Sequence, residues 1–323
     1  RGDMKFGQAN PRAANRFQCF RVVNVSKAGV FCWQSPAPPV SLSDMAATVF
    51  TMESVSVQRG GKRILNGIDL TVERDQHWVI LGGNGSGKTS LLNVLMGYLT
   101  PTAGEVHMRG REDAVNSESQ SWDDWRKRIG FVSSSISQLI DPGETGIEIV
   151  RSGRHAMVNF WQQDDGDDAG EIRAAEKILE KVNCLPLRDQ VWATMSQGER
   201  QRILIGRALM ARKMEVLILD EPCAGLDPVA REHFLQFVEE LTEKGSFRSL
   251  VLVTHHVEEI IPAITHALVL KDGKVISCGE KRRALNSFSL SEAFGADLKL
   301  RSRLGRYRLY YGDEFIPEGG QVV

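Results

Sequence analysis

The stretch Leu81-Gly82-Gly83-Asn84-Gly85-Ser86-Gly87-Lys88-Thr89-Ser90 constrains this chain more than any other. The apolar run from His77 to Leu81 reads as a buried strand. Ser90 to Met96 reads as a helix that stops at Gly97, where a left-handed residue is expected. Strand, glycine-rich loop and helix in that order match the phosphate-binding pattern G-x-x-x-x-G-K-[ST] over Gly82 to Thr89. The residue types follow from the task. Glycines let the backbone curl so that its N–H groups converge on an anion, and a helix starting near Lys88 adds the positive end of its dipole. Lys88 is placed to reach the β- and γ-phosphates, and the Thr89 hydroxyl to hold Mg²⁺.

Several classes are excluded by composition. With 323 residues, 42% hydrophobic and 25% charged, the chain has ample material for a core, and its net charge of -1 gives no global attraction to nucleic acid or anionic membrane. The five cysteines are scattered without a C-x-x-C pair, so neither a zinc site nor a disulfide framework is expected and a reducing compartment fits. No apolar run approaches the ~18 residues that span a bilayer, so a membrane role would need another chain.

Residues 1–45 differ from the rest. Arg1, Lys5, Arg12, Arg16, Arg21 and Lys27 outnumber Asp3 and Asp44, and Ser35-Pro36-Ala37-Pro38-Pro39 closes the segment. Three readings fit: an organelle transit peptide, a disordered tail, or codons translated ahead of a start at Met45. From Val49 the pattern becomes regular. Met52 to Val57 and Ile64 to Val72 alternate as strands around Gly60-Gly61. Glu105 to Met108 is a short strand, Ser121 to Arg128 a short helix with Trp122 and Trp125, and Ile129 to Val132 another strand. Residues about 140–205 are helical, with Ile172, Ala175, Ile178, Leu179 and Val182 on one face, and the acidic run Asp164 to Asp168 reads as a solvated loop. Buried strands return at Val216 to Leu219 and Leu250 to Thr254, separated by a helix from Pro228 to Leu241. Ala267 to Leu270 and Lys274 to Ser277 form a hairpin about Asp272-Gly273. Alternating strands and helices predict an α/β fold: a largely parallel sheet, helices on its faces and an antiparallel edge.

Two acids, Asp220 and Glu221, end the apolar strand Val216 to Leu219, and strand C-termini are where open α/β sheets bind ligands. Asp220 is placed to hold Mg²⁺ and Glu221 to orient or deprotonate an attacking water. Met195-Ser196-Gln197-Gly198-Glu199-Arg200-Gln201-Arg202 resembles the signature motif of ATP-binding cassette (ABC) ATPases, written L-S-G-G-Q, with Gln197 and Glu199 as departures. Ser196 and Gly198 precede an expected helix from Gln201 to Met210, whose dipole would complete an anion site. Ala224-Gly225-Leu226-Asp227 resembles the family's D-loop, and His255 after Leu250–Val253 its switch histidine. The usual Q-loop glutamine falls at Ser134, and the aromatic that stacks on adenine falls near Arg59, whose guanidinium plane can stack on a base. Val132 to Ser135 and Val150 to Arg154 are similar to a narrower branch of molybdenum-transport and photorepair ATPases.

The resemblance covers Val49 to about Gly279. It implies a P-loop NTPase of the ABC type: a RecA-like core, an antiparallel β-subdomain and a helical signature subdomain, within residues 46–283, followed by an accessory extension at 284–323. It implies ATP and Mg²⁺ as cofactors, and Gly82 to Ser90, Arg59, Ser196 and Gly198 as nucleotide contacts. Thr89 and Asp220 would be metal ligands, and Glu221, His255 and Lys88 catalytic. Two subunits, alike or paralogous, would sandwich two Mg·ATP. One reading is the energising subunit of a transporter with separate transmembrane permease chains, cytoplasmic or peripheral on the membrane's cytoplasmic face. The other is a non-transport ATPase acting on a nucleic-acid or ribosomal partner. For the latter, Asp297 to Tyr311, basic and tyrosine-rich about Leu304-Gly305, is either a single-strand binder or an accessory β-element with a solvated face.

Overall fold

A strand that is apolar at successive positions must be covered on both faces, and that requirement sets the architecture. In the computed structural model, which describes residues 48–108, 122–155, 157–159, 168–211, 214–312 and 321–322, the six-stranded central sheet has the order β5-β6-β7-β3-β8-β9. These strands are β3 (Trp78–Leu81), β5 (Ile129–Ser133), β6 (Val216–Asp220), β7 (Ser249–Thr254), β8 (His266–Lys271) and β9 (Lys274–Glu280). All are parallel to their neighbours except β9, the antiparallel edge. The expectations for residues 1–45 and for 164–167 lie outside the described residues.

The two faces of the sheet belong to two apolar clusters. Val79, Leu81, Leu217 and Leu219 pack with the helices on one side. Trp78, Ile80, Val216 and Ile218 pack on the other side with a three-stranded antiparallel sheet, order β2-β1-β4. That sheet comprises β1 (Thr48–Arg59), β2 (Lys62–Glu73) and β4 (Ala103–Met108). Period-two alternation along each central strand thus glues a helical layer to a β-layer. On the β-layer's side of the central sheet lies α1 (Lys88–Leu95), whose buried Leu91, Leu92, Val94 and Leu95 join that cluster. It ends at Gly97 with φ +70, where a Cβ would lie 2.2 Å from the ring of Trp122 on the short α2 (Trp122–Arg126). Trp125 of the same helix donates its indole N–H to the Leu95 carbonyl at 2.8 Å, which satisfies the polar end of a buried ring.

After β5 come α3 (Ser134–Leu139), α4 (Gly146–Ser152), α5 (Asp168–Lys181) and α6 (Gln197–Leu209), the helical region expected at about 140–205. One boundary needs correction. The helix expected from Gln201 begins at Gln197, because Ser196 and Glu199 form a capping box that terminates it four residues earlier. The chain continues through α7 (Pro228–Glu243), capped by Asp227 whose carboxylate accepts from the N–H groups of Val229 (2.8 Å) and Ala230 (2.9 Å).

Beyond β9 follow α8 (Lys281–Ala284), α9 (Ser287–Phe294) and a small sheet of β10 (Leu298–Arg303), β11 (Arg306–Tyr311) and β12 (Gln321–Val322), order β11-β10-β12. Leu285, Leu290, Leu300 and Tyr307 join the helical-side cluster. The three predicted hairpin tips each carry two successive positive φ angles: Gly60-Gly61, Asp272-Gly273 and Leu304-Gly305. That twist matches the flanking strands.

Candidate active site

The phosphate loop leaves the C-terminal end of β3, in the middle of the sheet. Gly82 must be glycine, since a Cβ there would lie 2.5 Å from both the Leu270 carbonyl oxygen and Ser86 Oγ. Gly87 carries the chain into α1 with φ 106, a conformation that side chains oppose. The loop rests on the β8–β9 turn: Gly273 donates its N–H to Ser86 at 2.9 Å and accepts from Asn66 at 2.8 Å. Sequence reasoning placed Gly273 in a turn and missed this buttressing role; the Asp272-Gly273 tip directly between β8 and β9 was its only signal. Ser86 Oγ is buried without a hydrogen-bond partner among the described residues, an unmet polar atom within the loop beside Gly82.

Lys88 is 6% exposed. Its ammonium donates to the carbonyls of Gly82 (2.8 Å) and Gly83 (3.2 Å) and lies 3.7 Å from Glu221 Oε1. Burial pushes its pKa down, against the opposing pull of Glu221 and Asp220. Asp220 ends β6, the second strand from β3, Glu221 follows it, and His255 follows β7, the strand between them. The parallel register levels the three strand ends, with Leu81 beside Thr254 and Asp220 beside Val253. His255 Nδ1 consequently lies 3.1 Å from Glu221 Oε1. Lys88, Glu221 and His255 form one continuous polar chain across three strands. Burial first, then the charge of Glu221, raises the Asp220 carboxyl to about 6, with Lys88 opposing.

Glu221 sits at φ 47, a left-handed conformation that costs a non-glycine residue about 1–3 kcal/mol. It is held there by its N–H, which donates to the Val253 carbonyl at 2.8 Å. The backbone strain aims the carboxylate between a lysine and a histidine. A second support was not foreseen: Glu259, 3% exposed, accepts a 2.6 Å hydrogen bond from the Thr254 hydroxyl, which in turn accepts from the His256 N–H at 3.0 Å. That pair fastens the turn carrying His255.

Ser196 and Gly198 are elsewhere. They start α6 and line a cleft of about 340 Å³ with Asn183, Glu199, Arg202 and His233. Arg59 ends β1, exposed and opposite Lys62 across the Gly60-Gly61 turn. Thr89 is exposed and Ser90 half-buried at the start of α1. Ser134, at the expected glutamine position, opens α3 with Ser133 as its cap, and Gln138 is exposed on the same helix. Ser133 is buried beside Asp220 in the β5–β6 register, a neighbour of the carboxylate that the motif reading passed over.

The ABC transporter family profile matches residues 65–224, from within β2 to the first residue of the D-loop stretch. An uncharacterized ABC transporter ATP-binding protein, YlmA of Bacillus subtilis, is 39% identical over 246 residues, 76% of this chain and 90% of the relative. The chain belongs to the ABC ATPases. As an ABC ATPase it binds ATP and is an ATP hydrolase. Another relative is the energy-coupling factor transporter ATP-binding protein EcfA2 of Lactococcus lactis. It is 34% identical over 67% of this ABC ATPase and 72% of its own length. Among solved structures, cbiO1 of Clostridium perfringens, part of the ABC transporter complex cbiONQ, superposes with a TM-score of 0.62 at 24% identity. The match covers 73% of this chain and 90% of that one, and it shows the same fold. The central sheet, the antiparallel β-layer and the helical region of this ABC ATPase are therefore those of its family.

Proposed function

We propose that this ABC ATPase hydrolyses Mg·ATP as a pair of subunits and energises transport through separate membrane-spanning chains. The observation carrying the paired arrangement is the division of the site. Lys88, Asp220, Glu221 and His255 converge at the ends of β3, β6 and β7, whereas the phosphate-contacting Ser196 and Gly198 line a different cleft. A second copy or a paralogue supplies the missing half in each direction.

The residues fit Mg·ATP. Ser86 Oγ is an unmet buried donor, and Gly82 keeps the cradle open where a Cβ would fill it. No group of three or more metal-binding side chains is found among the described residues. Thr89 and Asp220 would hold magnesium as two ligands, the rest of its shell coming from phosphate oxygens and water, as magnesium prefers. Bound magnesium neutralises charge on the phosphate oxygens. Lys88 exchanges its loop carbonyls for phosphate oxygens. Glu221 accepts a hydrogen bond from the attacking water and takes its proton as the water oxygen bonds to the γ-phosphorus and the bond from that phosphorus to the β,γ-bridging oxygen breaks, releasing ADP and phosphate, while His255 fixes the carboxylate's position. Arg59 is assigned to the adenine side as a stacking surface.

The transport assignment is supported by the relatives' names and by a groove of about 600 Å³. That groove is lined by Tyr98, Phe131, Ile136 and Leu139, with Tyr98 and Leu139 more than 60% exposed. No helix among the described residues is long and apolar enough to cross a membrane, so the spanning chains would be partners docked against such a surface. A second reading, action on nucleic acid, is favoured by one register. The pairs Lys299↔Tyr310, Arg301↔Arg308 and Arg303↔Arg306 put five basic residues on one face of the β10–β11 hairpin, although Arg306 is ion-paired with Glu232.

The test is Glu221→Gln, which keeps the shape and removes the base. ATP should still bind while turnover falls by roughly 10²–10⁴. Light scattering with Mg·ATP should then register a dimer that Ser196→Arg abolishes. Hydrolysis at the parent rate would remove Glu221 from the mechanism.

A further inference from the structure

The signature turn is rigid in its backbone and adjustable in one side chain. Arg200 donates from Nε to the Trp192 carbonyl (3.2 Å) and from Nη2 to that of Ala193 (3.1 Å), with its guanidinium 5.1 Å over the Trp192 ring. Trp192 and Ala193 themselves donate to the carbonyls of Glu144 (2.8 Å) and Pro142 (3.0 Å). The turn entering α6 is thus pinned from both sides, and the adjustable member is Glu199.

Glu199 Oε2 accepts from the Ser196 N–H at 2.8 Å and from the Ser196 hydroxyl at 2.7 Å, while the Glu199 N–H reaches back to Ser196 Oγ at 3.4 Å. The serine donors expected to meet a phosphate are already bonded to a carboxylate of the same chain. One anion at a helix N-terminus is favourable; a second at the same donors is repelled by the first. Glu199 also has a second berth. It lines the 340 Å³ cleft together with Arg202, which lies three residues on along α6 and so on the same face, its guanidinium 5.1 Å over the Phe237 ring.

We infer that Glu199 gates the signature site. Its carboxylate must leave Ser196 and swing toward Arg202 before the nucleotide bound by the partner subunit can engage Ser196. Glu199 thereby sets the ATP concentration at which two copies close. This rests on the paired-subunit reading above. A neutral glutamine at this position can still serve the capping box, so Glu199→Gln removes the competing charge and keeps the helix end.

The experiment uses the full chain carrying Glu221→Gln, so that nucleotide is not consumed, and reads dimer formation by light scattering against Mg·ATP concentration. Adding Glu199→Gln should lower the half-maximal ATP concentration by about tenfold, the scale of one like-charge contact in a partly solvated site. Adding Arg202→Ala instead, which removes the second berth, should raise it. An equal or higher half-maximal concentration with Glu199→Gln overturns the gate and leaves the paired-subunit reading standing. No dimer in either background at saturating Mg·ATP overturns the pairing of two copies of this chain, and the gate between them with it, and leaves the missing half to a paralogue.

Discussion

Replacing Gly273 by alanine should damage the phosphate loop from beneath, without touching any residue of it. The magnitude follows from comparison with Gly60. Both glycines occupy left-handed hairpin positions, at φ +73 and φ +56, so alanine at either meets the same backbone penalty of about 1–2 kcal/mol. Only Gly273 has a close neighbour: a Cβ there would lie 2.1 Å from the Ile64 carbonyl oxygen, whereas at Gly60 nothing is within 4 Å. A backbone oxygen cannot rotate away as a side chain can, so relief requires the β8–β9 tip to move, which adds about 1–3 kcal/mol as in other overpacked sites. Gly60→Ala should therefore lower Tm by about 2–8 °C and Gly273→Ala by roughly twice as much. The tip cannot move without pulling on Ser86, whose carbonyl accepts the Gly273 N–H at 2.9 Å. If that displacement costs the loop ~1.4 kcal/mol in binding, ATP affinity by calorimetric titration drops about tenfold in Gly273→Ala. In Gly60→Ala it should be unchanged. Equal Tm losses in the two variants, or parent affinity in Gly273→Ala, would refute the buttress.

Other consequences are equally direct. Lys88→Ala removes the ammonium bonded to the Gly82 and Gly83 carbonyls, and ATP binding by titration should weaken at least about tenfold. Asp220 titrates at about 6, and a metal competes with its proton. Mg²⁺ affinity should accordingly be full above that pH and fall about tenfold per unit below it. Asp220→Asn should weaken binding and flatten this profile. If the β10–β11 face serves nucleic acid, the parent chain should raise the anisotropy of a labelled oligouridylate in a salt-dependent way. Lys299→Glu with Arg308→Glu should then abolish the signal; no signal from the parent chain ends that reading.

Features decided within a few residues were legible in the sequence alone. Gly60-Gly61 and Asp272-Gly273 declare hairpin tips because successive positive φ angles are a local requirement, alternation alone points to a third at Leu304-Gly305, and the structure places all three there. The phosphate loop and the buried strands about it are local in the same sense: a backbone that must curl needs glycine, and a strand covered on both faces needs apolar residues throughout. The capping box Ser196-x-x-Glu199 was equally local and was overlooked, which moved the start of α6 by four residues. Tertiary structure alone decided what depends on strand order. Lys88, Glu221 and His255 are spread over 168 positions of the chain and meet because β7 lies between β3 and β6. The strained φ of Glu221, the Thr254–Glu259 bond beneath His255 and the seat of the loop on Gly273 belong to this class. No periodicity encodes them, because each exists only after non-adjacent segments have packed and one backbone has been pressed against another.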